Sequence, residues 1–112
     1  MEYQARVEGP YTVIALAGEV DLHYSPQARE QILHHLGEQK NLLVDLSMVN
    51  YIDSSGVASL VEGYQLARKT GLAFGLVGVS EAVLQVLQLA RLDKVFPIHA
   101  SASERIVSDE QA

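Results

Sequence analysis

The stretch Asn41-Leu42-Leu43-Val44-Asp45-Leu46 constrains the fold most. It is a near-continuous apolar run without polar alternation. A strand with that pattern lies at the centre of a sheet covered on both faces, so helices must pack above and below it. Around this run the chain alternates extended and helical signals. Residues 3–7 and 11–17 read as two strands joined at Gly9-Pro10, a turn signal that makes them a hairpin. Gly18-Glu19-Val20-Asp21 ends the second strand. Ser25-Pro26 reads as an N-cap and first helical residue, with Ala28, Ile32 and Leu36 on the buried face and Gly37 as C-cap.

After the central strand, 47–52 reads as a crossing segment that leads to Asp53-Ser54-Ser55-Gly56. A second helix follows over about 54–70, with Val57, Leu60, Val61, Tyr64 and Ala67 at helical spacing and Gly71 as its cap. Leu72 to Val77 is a further strand. Ser80 caps a third helix, whose buried face is expected to carry Ala82, Val83, Val86, Leu87 and Ala90. Residues 95–98 form a short extended segment, placed at an edge by Pro97, which donates no ladder hydrogen bond. A terminal helical turn or two fits 102–108, and the tail from Asp109 to Ala112 reads as loose. The expected class is α/β: about five strands in a mixed sheet, in the order β-β-α-β-α-β-α-β, with room for a terminal helix. The 112 residues make a single domain, and no linker or repeat divides them.

Composition narrows the function. The net charge of −6 argues against direct binding to nucleic acid or anionic lipid, and no basic run offsets it. The absence of cysteine excludes disulfides, zinc–thiolate sites and thiol nucleophiles. Nothing approaches the ~20 apolar residues of a membrane span, and the first residues are not a signal peptide. The expectation is a soluble cytoplasmic domain.

Few residues invite chemistry. His23, His34, His35 and His99 form no spaced metal pair, so neither metal nor cofactor is expected. Asp21, Asp45 and Asp53 do not make the acidic pair and strand-end acceptor of a magnesium-dependent phosphoacceptor domain. Ile52-Asp53-Ser54-Ser55-Gly56 is not the Gly-x-Ser-x-Gly of a hydrolase elbow, and there is no phosphate loop with its lysine. What remains is Asp53-Ser54-Ser55-Gly56. It reads either as a helix cap or as a modification site, two hydroxyls at a helix start that tolerates a phosphate. Gly56 is expected to leave room beside them.

That tract resembles the signature of the STAS domain, and of bacterial anti-sigma factor antagonists in particular. Supporting matches are Leu16-Ala17-Gly18-Glu19-Val20-Asp21, Leu43-Val44-Asp45-Leu46, and Leu76 to Ser80 with Leu89 to Phe96; together they span residues 3–107. The resemblance implies a binding switch rather than an enzyme. The unphosphorylated protein binds an anti-sigma factor that is also a serine kinase, and so frees the sigma factor. Phosphorylation of the serine after the aspartate, Ser54, ends binding, and a PP2C-type phosphatase restores it; Ser55 is the neighbouring candidate. Asp21, Asp53, Ser54, Ser55 and Gly56 form the implied partner surface. The segment Leu22-His23-Tyr24-Ser25-Pro26 borders that surface and departs from the family pattern. The alternative is a regulatory subunit of an ABC-type lipid transporter or of a stress-signalling scaffold.

Overall fold

The computed structural model describes residues 1–111. Its elements are β1 (Glu2–Glu8), β2 (Tyr11–Val20), α1 (Ser25–Gly37), β3 (Asn41–Ile52), α2 (Ser54–Thr70), β4 (Phe74–Val77), α3 (Glu81–Leu89), β5 (Ile98–His99) and α4 (Ala102–Glu110). The five strands form one sheet in sequence order, with β1 antiparallel to β2 and every other neighbouring pair parallel. The expected mixed sheet, hairpin and helix order are therefore observed.

Alternation along the strands divides the core in two. Leu42, Val44 and Leu46 of β3 join Ile14, Leu16 and Leu76 on one face, where Ile32, Leu60, Val83 and Leu87 of α1, α2 and α3 cover them. Leu43 points the other way, into a smaller cluster with Tyr11, Val13, Val77 and Ala102, beneath Ile106 of α4. Each fully buried leucine contributes about 1.5–3 kcal/mol relative to exposure. Asp45 shares the α4 side, where its carboxylate accepts from the Ser47 N–H at 2.9 Å and lies 3.7 Å from Arg6.

Several expected boundaries shift. Residues 47–52 are not a crossing segment but the second half of β3. Between the pairs Ala15↔Asp45 and Ala17↔Met48, and again between Gly18↔Val49 and Glu19↔Tyr51, β3 carries one extra residue. These bulges space its buried residues Leu46, Val49 and Ile52 by three, a pattern that matches neither strand nor helix. They also bring Ile52 level with Val20, so that the Asp53 N–H donates to the Val20 carbonyl at 3.3 Å.

Ser25 is the first residue of α1 rather than its cap; the cap position is Tyr24, and the Asp21 carbonyl takes the Tyr24 and Ser25 N–H groups. Gly37 lies within α1, and Gln39 adopts the left-handed conformation instead. Gly71 caps α2 as expected, at φ 75°. β4 starts at Phe74, β5 spans only Ile98–His99, and Ala82 and Ala90 are exposed, because α3 buries only the narrow stripe of Val83 and Leu87.

Asp109 and Glu110 complete α4 instead of forming a loose tail, and Ala112 lies outside the described residues. Arg105 anchors that helix: it donates to Asp109 at 3.0 Å and to the Phe74 carbonyl at 3.2 Å, over the Tyr11 ring. The Tyr11 hydroxyl donates to the same carboxylate. No helix among the described residues is long and apolar enough to cross a membrane.

Candidate functional site

The parallel strands β2 and β3 end together, and the chain leaves each into a turn. Asp21 organises the first turn: its carboxylate accepts from the N–H groups of His23 at 3.0 Å and Tyr24 at 3.1 Å. Asp53 organises the second. It is the N-cap of α2, with extended backbone, and one carboxylate oxygen accepts from the Ser55 N–H at 2.9 Å and the Gly56 N–H at 3.2 Å. The same oxygen accepts from the Ser55 hydroxyl at 2.5 Å. Its other oxygen crosses to the first turn and accepts the Leu22 N–H at 2.9 Å. One side chain thus caps α2 and ties the two turns together. The Ser55 hydroxyl, with the three backbone N–H groups, holds the Asp53 carboxyl below the ordinary aspartate range, against the opposing effect of desolvation.

The two serines are not equivalent. Ser55 is half-buried, and its hydroxyl is committed to Asp53. Ser54 is exposed at the first position of α2, and among the described residues its hydroxyl has no hydrogen-bond partner. The helix start leaves free N–H groups and positive potential beside it.

Gly56 does not do what its position suggested. It is buried and faces the sheet: a Cβ there would stand 2.5 Å from the Val20 carbonyl oxygen and 2.6 Å from Ile52 Cγ1. The glycine lets α2 sit down on the ends of β2 and β3. It opens no path to the hydroxyls and offers no side to a partner, so its place in the implied partner surface is indirect.

The fold therefore brings Asp21, Asp53, Ser54 and Ser55 to one end of the sheet, with Gly56 beneath. Leu22, from the segment expected to border this surface, is 75% exposed beside Asp53. Arg29, Ala58, Ser59 and Glu62 join the site without any signal in the sequence. A groove of about 360 Å³ runs from Ser55 between α1 and α2, past Ser25, Pro26, Ala58 and Ser59. It ends at an ion pair between Arg29 and Glu62, 2.6 Å apart, which only the packing of the two helices creates. Among the described residues, no group of three or more histidines, aspartates or glutamates is placed to hold a metal ion.

Comparison with known proteins places this geometry. The STAS domain model matches residues 2–105. The anti-sigma-B factor antagonist of Bacillus subtilis is 26% identical over 89 residues, which cover 80% of this chain and 82% of the relative. The anti-sigma F factor antagonist of Paenibacillus polymyxa is also 26% identical, over 78% of this chain and 76% of the relative. Among solved structures, the anti-sigma factor antagonist SpoIIAA in its unphosphorylated form has a TM-score of 0.80 at 23% identity, covering 99% of this chain and 98% of that one. The STAS domain protein from Planctomyces limnophilus has a TM-score of 0.84 at 23% identity, over 95% and 96% of the two chains. The family model spans the sheet, all of the capped turns and the start of α4, and the chain belongs to the STAS domain family.

Proposed function

We propose that this chain is an anti-sigma factor antagonist whose binding is switched off by phosphorylation of Ser54. One observation carries the choice of residue: Ser54 offers an exposed, unengaged hydroxyl at the head of α2, while the hydroxyl of Ser55 is held by Asp53. The names of the relatives support the partner class, an anti-sigma factor. In this reading that partner is also the serine kinase, and a PP2C-type phosphatase reverses the modification. The domain acts by binding rather than catalysis. The Asp53 carboxylate next to the hydroxyl already accepts from four donors and is held ionised, so it makes a poor general base.

The geometry also indicates how such a switch works. A phosphate on Ser54 adds about −1.5 to −2 charges at a position that faces solvent and the helix N-terminus. No internal contact of Ser54 has to break, so the fold stays as it is. At a partner surface the same group must be desolvated or meets like charge. Every 1.4 kcal/mol of that cost is about a factor of ten in affinity.

The test is binding. The unmodified chain is titrated into a complex of sigma factor with the anti-sigma kinase from the same genome. Release of the sigma factor, and its loss after incubation with ATP, is expected. No binding to the kinase, with capture by a transporter permease complex instead, would move the chain to the transporter-subunit reading.

A further inference from the structure

The two edges of the sheet are built differently. β5 is two residues long and follows Pro97, so that edge offers little to pair with. β1 is seven residues long, without proline, lysine or bulge, and it pairs with β2 in unbroken register from Glu2↔Ala17 to Glu8↔Tyr11. The helical layer does not reach it: Tyr3 is 44% and Val7 76% exposed. From this edge and the order of its charges we infer that β1 pairs with β1 of a second copy of this chain, antiparallel about a two-fold axis at Gln4.

Backbone parity sets which registers are open. The connection Gly9-Pro10 has two residues, so Glu8 and Tyr11, its closing pair, exchange both hydrogen bonds. Even-numbered residues of β1 then face β2 with their N–H and C=O groups, and Tyr3, Ala5 and Val7 present theirs outward. A partner strand must pair odd with odd. An axis at Gln4 satisfies this, with Tyr3 opposite Ala5 on both sides of the axis. It also sets Glu2 of each copy opposite Arg6 of the other, and Met1 opposite Val7. An axis at Ala5 satisfies the parity as well, but it sets Glu2 opposite Glu8, a like-charge pair. Charge therefore selects the first register. Arg6, which bonds Glu8 at 2.8 Å on its own strand and lies 3.7 Å from Asp45, is exposed, and the incoming Glu2 would share it with those two carboxylates.

The pairing joins two five-stranded sheets into one, with Tyr3, Ala5 and Val7 of both copies meeting on the α1 side. Met1 and Gly18 lie at the same end as Asp53, since a Cβ on Gly18 would stand 3.7 Å from Met1 Cα. The two-fold axis therefore turns the Ser54 sites to opposite ends of the joined sheet, and both stay open.

Sedimentation of the full chain over a wide concentration range tests this, with expected masses rising toward twice that of the monomer. Ala5→Pro removes an outward N–H that β2 does not use, so it should keep the monomer folded and abolish association. Glu2→Arg and Arg6→Glu should each weaken association by roughly tenfold, by replacing two opposite-charge pairs with two like-charge ones. The double variant Glu2→Arg, Arg6→Glu should restore it. Strengthening by Glu2→Arg alone would indicate the axis at Ala5 and overturn the register. A monomer at every concentration, or association indifferent to both charge variants, would overturn the proposal.

Discussion

Replacing Gly56 by alanine probes how tightly the site is seated. Exposed glycines inside helices cost roughly 0.5–1 kcal/mol relative to alanine, so propensity alone favours the change. The packing opposes it. The new methyl would stand 2.5 Å from the Val20 carbonyl oxygen, 2.6 Å from Ile52 Cγ1 and 3.0 Å from Val20 Cγ1. The first of these atoms is main chain, fixed at the end of β2, and cannot turn aside. The start of α2 must lift, at an overpacking cost of about 1–3 kcal/mol. Lifting also stretches the bonds from Ser55, Gly56 and Leu22 to Asp53, a cap worth about 0.5–2 kcal/mol. The sum should be a net loss of about 2 kcal/mol, the clash outweighing the propensity gain. Urea unfolding measures it, with Gly37→Ala as the control: that glycine is helical, and a Cβ there meets nothing within 4 Å. Gly37→Ala should raise the midpoint while Gly56→Ala lowers it. A Gly56→Ala protein as stable as the parent would refute the claim that this glycine seats the helix.

Other outcomes follow from the same contacts. Ser54→Ala should change stability by less than about 0.5 kcal/mol, whereas Ser55→Ala, which removes a bond to Asp53, should cost about 1 kcal/mol; urea midpoints distinguish them. Arg105→Ala strips the Phe74 carbonyl and Asp109 of a nearly buried partner and should cost about 2 kcal/mol, with amide exchange rising first in α4. Asp53 and Asp109 both titrate below the ordinary aspartate range, Asp109 chiefly through the Tyr11 hydroxyl and then Arg105. Groups lowered in this way contribute in full above the unfolded value of about 4, and the contribution is lost as pH falls through their folded values. Stability should therefore hold from neutrality to about pH 5 and decline below about 4, less steeply in Asp109→Asn.

How much of this was legible depended on whether the signal was local. The Gly9-Pro10 turn, the Gly71 cap and the apolar run through Leu46 each state their structure within a few residues, and the fold followed from them. The second half of β3 did not, because two bulges put Leu46, Val49 and Ile52 three residues apart and β4 covers only Leu42 to Asp45. The tract Asp53-Ser54-Ser55-Gly56 announced a site, but not the division of labour within it. That Ser55 serves Asp53 while Ser54 stays free, and that Gly56 faces inward, depends on where Val20 and Leu22 arrive from another strand. The Arg29–Glu62, Tyr11–Asp109 and Arg105–Phe74 contacts join distant segments, and no periodicity encodes them.

In the proposed switch, binding turns on the hydroxyl of Ser54 and not on that of Ser55. Fragment-resolved mass spectrometry of the chain after incubation with ATP and its anti-sigma kinase tests this most directly, with complex formation followed in the same samples. A single phosphate on Ser54 is expected, with dissociation of the complex as it accumulates and a Ser54→Ala protein that stays unmodified and bound. A phosphate on Ser55, or a Ser54-phosphorylated chain that binds as tightly as before, would contradict it.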